Sequence, residues 1–380
     1  MAKGKTVGIR CCVSVWAVCF VLFSCLPVPV LAQAGNTRVN PVSKNSATPD
    51  RESEIALFTD DALLHFKLVV DYQQLLKDRG EERSYHQAVL HYTDKAGAAV
   101  SMNLKVMVRG NRRRDPAVCR FPPLLLNFPR KKTVNTVFEG TNKLKMVTHC
   151  IGDDYVLREY LVYKLYSTLT EESYRVRLCQ VAYEDLRGKR KPELRYAFLL
   201  EDDDDVARRC KGKIMPEKLL IRMDRAEPRA MARVAFFQYM IGNTDWSVPF
   251  RHNIDLLSRD SLAAPVPIPY DFDYAGIVDA PYAVPPPELG ITSVKQRLFR
   301  GYTFEDSVYA EVKALFNRYR GAMYGVYLHN ELLDKRYQKQ TLKYLDNFFE
   351  TLNDPKDFEK KIVRAGQQNQ KSIVVIKGLK

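Results

Sequence analysis

The 380 residues contain no Gly-x-Ser-x-Gly elbow, no His-Glu-x-x-His pair and no Gly-x-Gly-x-x-Gly fingerprint. Those absences remove the usual serine-hydrolase, zinc-protease and dinucleotide-binding signatures. Cys-x-x-Cys is also missing, and His149 beside Cys150 has no second pair at ligand spacing, which argues against a zinc site. Glycine and proline, at 18 and 20 residues, are too few for a collagen-like or wholly disordered chain. No internal repeat is visible, so solenoid architectures are out. Aromatic residues are not interleaved with the basic stretch Arg187-Gly188-Lys189-Arg190-Lys191, which argues against single-stranded nucleic acid as the partner.

Positive charge is in excess. Lys and Arg outnumber Asp and Glu by 59 to 45, a formal charge of +14. Such a balance favours anionic surroundings and says nothing about fold. The first residues explain part of it. Lys3, Lys5 and Arg10 precede an apolar run from Cys11 to Val30, and Val30-Leu31-Ala32-Gln33-Ala34 closes it with small residues. This three-part pattern predicts a secretory signal peptide over residues 1–34, cut after Ala32 or Ala34. Pro27 and Pro29 interrupt the run and argue against a membrane-anchoring helix. Lipid attachment at Cys25, in Leu22-Phe23-Ser24-Cys25, is the alternative ending. Removing Lys3, Lys5 and Arg10 takes three from the 59 basic residues, so the mature chain keeps about +11. The expected location is periplasmic or envelope-associated, with an anionic envelope surface rather than nucleic acid as a partner. An oxidising compartment would permit two disulfides among Cys119, Cys150, Cys179 and Cys210, in three connectivities.

A polar stretch over 35–54 reads as a flexible linker. Alternating or apolar runs predict strands at 63–70, 88–93, 100–108, 124–128, 144–147, 177–183 and 195–200, with a hairpin around Asp94 to Gly97. Leu157, Leu161, Leu165 and Leu169 predict a helix over 155–169 started by Asp153 or Asp154. A second helix is expected over 230–241, two short strands at 253–257 and 266–269, a Pro-rich loop over 282–290 and helix from 293 to about 351. The fold class is therefore α+β with two lobes, a β-rich one over 55–205 and a mainly helical one over 206–360, followed by a tail over 361–380. The acidic run from Glu201 to Asp205 reads as a solvated loop between them.

The most informative stretch is Ile241-Gly242-Asn243-Thr244-Asp245-Trp246-Ser247, then Arg251-His252-Asn253-Ile254-Asp255 and Pro269-Tyr270-Asp271-Phe272-Asp273. A helix ends in a loop with one carboxylate, a strand starts with an amide, and a hairpin returns to a second carboxylate. That order can converge a base and two oxygen ligands on one point, as phosphoryl transfer requires. Taken singly, Asn243 to Asp245 reads as an Asx turn, and Asp271 and Asp273 as partners of surface arginines; only together, in this order, do they read as a site.

This stretch resembles the catalytic core of atypical kinase families, the spore-coat CotH kinases and the HipA-type kinases, in an exported bacterial member. Val106-Met107-Val108-Arg109-Gly110-Asn111 is similar to an Arg-Gly-Asn turn early in the CotH family. The resemblance implies a two-lobed protein-kinase-like fold, with ATP and Mg²⁺ as cofactors. The acceptor would be a hydroxyl of an envelope protein or another envelope component. It implies Asp245 as catalytic base, and Asn253 and Asp271 as metal ligands. No glycine-rich phosphate loop is present, since Gly140 stands alone. The nucleotide phosphates would fall to Lys145, with Lys143 on the same face, held by Glu159 of the following helix, and to Arg109 or the Arg112-Arg113-Arg114 cluster. A noncatalytic envelope binding or scaffold protein is the other reading left open.

Overall fold

The computed structural model describes residues 55–371, which belong to one compact unit. The predicted signal peptide over 1–34 and linker over 35–54 lie outside the described residues, as do positions 372–380. No described helix is long and apolar enough to cross a membrane.

Seven strands form the first half: β1 (Leu64–Val70), β2 (His86–Thr93), β3 (Ala99–Val108), β4 (Leu124–Asn127), β5 (Lys143–Val147), β6 (Val176–Asp185) and β7 (Glu193–Leu200). Period-two burial drives them. In β1 the side chains of Leu64, Phe66, Leu68 and Val70 are buried, while those between face outward. The inner rows, including Leu68, Leu90, Leu104, Leu126, Leu144, Val181 and Leu199, make one apolar core.

The two-lobed protein-kinase-like fold expected from the motifs is not what is found. The strands close into a barrel in the order β1-β2-β3-β4-β5-β7-β6, and the helices form a separate region. Closure comes from a parallel pairing of β1 with β6, from Leu64 opposite Cys179 to Val70 opposite Asp185. Inward and outward alternation is the same in an open sheet and in a barrel. The hydrogen bonds that close the ring join segments far apart in the chain, and no local pattern records them.

Between β5 and β6 runs α2 (Asp153–Ser167), packed on β6 and β7. Its leucines are buried as the spacing predicts, and tyrosines bury the adjacent faces. Gly152, not Asp153 or Asp154, is the N-cap, and the two aspartates occupy the first turn, where they favour the helix dipole. Two short helices were not legible: α1 (Tyr72–Lys77) and α3 (Asp203–Arg209). The acidic run starts α3, with Asp202 accepting from the Asp204 amide.

The second half centres on α4 (Pro228–Ile241), where Ala232, Val234, Ala235, Phe236, Phe237 and Met240 are fully buried. A three-stranded sheet lies beside it, ordered β10 (Val266–Pro269), β9 (Ile254–Ser258) and β8 (Lys213–Ile214). Two long helices, α5 (Asp306–Leu328) and α6 (Lys335–Asn353), complete the core. Residues 293–305 are not helical, contrary to expectation. A short α7 (Pro355–Phe358) leads into a helical segment ending in α8 (Arg364–Lys371).

Candidate functional site

The loop that carries Asp245 is set by how α4 starts and stops. Pro228 opens the helix and the Glu227 side chain caps the Ala230 amide at 2.6 Å. Gly242 ends it with φ +68 in the left-handed region. A Cβ there would lie 2.2 Å from the Tyr344 hydroxyl and 3.1 Å from the Val294 carbonyl, so only glycine fits. Asn243 Oδ1 then accepts from the Asp245 amide at 2.9 Å. The stretch is an Asx turn, and that turn is what aims Asp245.

Asp245 is held by its neighbours. Its Oδ1 is 2.8 Å from His252 Nε2, and Asn253 Nδ2 donates to Oδ2 at 3.1 Å and to the Asp245 carbonyl at 2.8 Å. Burial works against a charge on His252, but the hydrogen bond and charge of Asp245 outweigh it and raise its pKa. Arg300 braces the loop through the Thr244 and Trp246 carbonyls. Burial lowers the Arg300 pKa to about 10, against the pull of Asp245.

Asn253 and Asp271 meet at the mouth of the β9–β10 hairpin, where the Tyr270 amide donates to the Asn253 carbonyl at 3.1 Å. Both residues have left-handed backbones, with φ of 53 and 57. Asparagine and aspartate enter this region more readily than other non-glycine residues, because their short polar side chains bond locally. The Tyr163 hydroxyl accepts the Asp271 amide at 2.8 Å and fixes that turn.

Arg113 is the hub. Its guanidinium donates to Glu159 Oε2 at 2.8 Å, reaches Asp273 Oδ2 at 3.3 Å and pairs with Asp271. Glu159 and Asp273 are buried, whereas the Asp271 side chain is 40% exposed. Burial raises the pKa of Glu159, with Arg113 opposing and Asp271 adding. Burial likewise raises Asp273, again opposed by Arg113 and reinforced by Asp271, Glu159 and Asp245. Burial and mutual repulsion therefore both resist ionisation of these acids, and Arg113 is the group that chiefly opposes them.

The remaining expectations divide. Arg109 lies within electrostatic reach of Asp271 and Asp203, and burial together with Arg113 lowers its pKa. The expected Lys145–Glu159 pair is not formed. Lys145 Nζ instead binds Asp203 Oδ1 at 2.5 Å, because its register partner Leu200 ends β7 just before α3. Glu159 belongs to Arg113. Tyr174 links Asp203, at 3.0 Å, to the buried Asp255, whose pKa burial raises to about 6. His252 and Asp203 have no role of their own in any motif visible in the sequence, and Arg113 was expected only as one of a cluster at the phosphates, not as the partner of Glu159. Arg113 sits in a flagged arginine cluster, but nothing local tells which of its three arginines turns inward.

Among the described residues no group of three or more His, Cys, Asp or Glu is set out to cage a metal ion. The donor set fits a hard cation of the Mg²⁺ type, which binds through one or two protein oxygens and keeps water or phosphate for the rest. Asn253 spends its Nδ2 on Asp245, which turns its amide oxygen away from that bond, and Asp271 has only Oδ1 engaged by Arg113.

No protein-family model matches this chain, and no curated protein matches it. A solved structure of the proinflammatory kinase CtkA from Helicobacter pylori is similar at 10% identity and a TM-score of 0.31, covering 76% of this chain and 92% of that one. A TM-score of that size establishes no shared fold.

Proposed function

We propose that this chain is a phosphotransferase that uses a nucleoside triphosphate with Mg²⁺ and passes the terminal phosphoryl group to a hydroxyl acceptor. The observation that carries the reading is one turn of geometry: Asp245 gripped by His252 and Asn253, with Asn253 and Asp271 in left-handed turns at adjoining strand ends. The reading rests on that site and not on the fold.

Asp245 would orient the acceptor hydroxyl and take its proton. Its oxygens are engaged by His252 and Asn253 and each keeps a lone pair for that bond. Asn253 and Asp271 would hold the cation, which supplies charge neutralisation on the transferred group. Lys145 and Arg109, flanking Asp271 and Asp203, are suited to the phosphates. The Arg109-Gly110-Asn111 turn and the Asn243 to Asp245 loop are what support a CotH-type or HipA-type relationship. An exported location is part of the proposal. The Cys119–Cys150 disulfide supports it, since such bonds persist in oxidising compartments.

The test is calorimetry of the purified chain with ATP, with and without Mg²⁺. Asp271→Ala should lose magnesium-dependent binding. Asp245→Ala should keep it while phosphotransfer falls by about 10²–10⁴-fold. Wild-type protein that binds no nucleotide in the presence of Mg²⁺ refutes the enzyme. One observation favours the second reading, a noncatalytic envelope binding protein: Asp271 and Lys145 are each already paired by side chains of the same chain.

A further inference from the structure

The segment that delivers Arg113 is tied down with more care than its length requires. It leaves β3 through Gly110, at φ +93, and turns at Arg112–Arg114. Arg79, just past α1, donates to three carbonyls of this segment: Arg114 at 3.3 Å, Cys119 at 2.8 Å and Arg120 at 2.6 Å. Cys119, which follows the turn, is bonded to Cys150, which precedes α2, with their Cα atoms 4.8 Å apart. The Phe121 amide donates to the Cys150 carbonyl at 3.2 Å, and Thr148 Oγ1 donates to the Phe121 carbonyl at 2.7 Å. These ties fix the loop to the segment just after α1 and to the connection between β5 and α2. The two ends so joined carry the two halves of one ion pair, Arg113 from the loop and Glu159 from α2.

We propose that Arg113 is the positioning residue of the carboxylate site, and that the Cys119–Cys150 disulfide serves to hold its loop in register with α2. A planar guanidinium with several donors can grip Glu159 on one side and still align Asp271 and Asp273 on the other. An ammonium is a point charge and cannot hold three carboxylates in a fixed relation. Asp271, being the exposed member, would be left to wander if the loop moved, and with it the oxygen it offers to a cation. The consequence for ligand binding rests on the function proposed above; the mechanical claim does not.

The experiment uses the oxidised full chain, Arg113→Lys, and Cys119→Ala/Cys150→Ala. Hydrogen exchange is read over residues 110–121, and MgATP affinity by calorimetry. The double cysteine variant should exchange faster over 110–121 while its far-ultraviolet circular dichroism stays unchanged, and should bind MgATP at least tenfold more weakly. Arg113→Lys should recover the wild-type melting temperature within a few degrees yet share the loss of affinity, a separation that a purely structural arginine would not give. Wild-type affinity in both variants overturns the positioning role. If wild-type protein binds no MgATP, the proposed function fails, and exchange alone decides this inference: unchanged protection over 110–121 in the double variant overturns it.

Discussion

Replacing His149 by phenylalanine isolates a single buried titration. His149 is 8% exposed and packs in a three-ring cluster with Phe121, its centroid 4.7 Å away, and Tyr183, at 5.6 Å. Its Nδ1 is buried without a partner. Burial, together with the charges of Arg195, Arg120 and Arg190, lowers its pKa from 6.5 to about 4. In the unfolded chain the same imidazole takes a proton near its ordinary value. Between about pH 6.5 and pH 4 the unfolded state binds the extra proton, so folding stability is lost as pH falls through that window and is fully present above it. At 1.36 kcal/mol per pKa unit the loss from this one group is about 3 kcal/mol. Phenylalanine keeps the ring contacts and has no proton to take up. Urea unfolding at a series of pH values from 8 to 4 measures the effect as the difference in slope between wild type and variant, since the carboxylates common to both cancel. His149→Phe should lose about 3 kcal/mol less than wild type over that range. Parallel stability curves for the two proteins would refute the reasoning, because they would mean that His149 is protonated as easily in the folded chain as in the unfolded one.

Gly242→Ala should destabilise the chain by about 2–4 kcal/mol in urea unfolding, since it adds left-handed strain to a close approach of Tyr344 and Val294; an unchanged midpoint would contradict the way Asp245 is aimed here. Peptide mapping without reduction should recover Cys119 and Cys150 in one linked species and Cys179 and Cys210 as alkylated thiols. N-terminal sequencing of protein made in a cell that exports it should begin at Gln33 or Gly35, whereas a chain starting at Met1 would reject the signal peptide and one starting at Cys25 would favour lipid attachment.

Segments whose fate depends on their own periodicity could be read directly. The alternation in β1, β2 and β3, the leucine spacing in α2 and the apolar block of α4 each name one face to bury, and each element forms within a residue or two of its pattern. The order helix, Asp245, Asn253, Asp271 was legible for the same reason: it lies along one short helix–loop–hairpin unit, where turn chemistry at Gly242 and Asn243 is local. Partner choice across space was not. The sequence allowed Lys145 to meet Glu159, but register sets Lys145 opposite Leu200 and so beside Asp203, while the loop after β3 brings Arg113 to Glu159. Of three disulfide connectivities, the structure pairs Cys119 with Cys150 and buries Cys179 in the barrel wall. Barrel closure itself lies in the pairing of Leu64 with Cys179. Local pattern fixes which face of a segment is apolar; which other segment covers that face is decided by strand register and ring closure, and those exist only once the whole chain has folded.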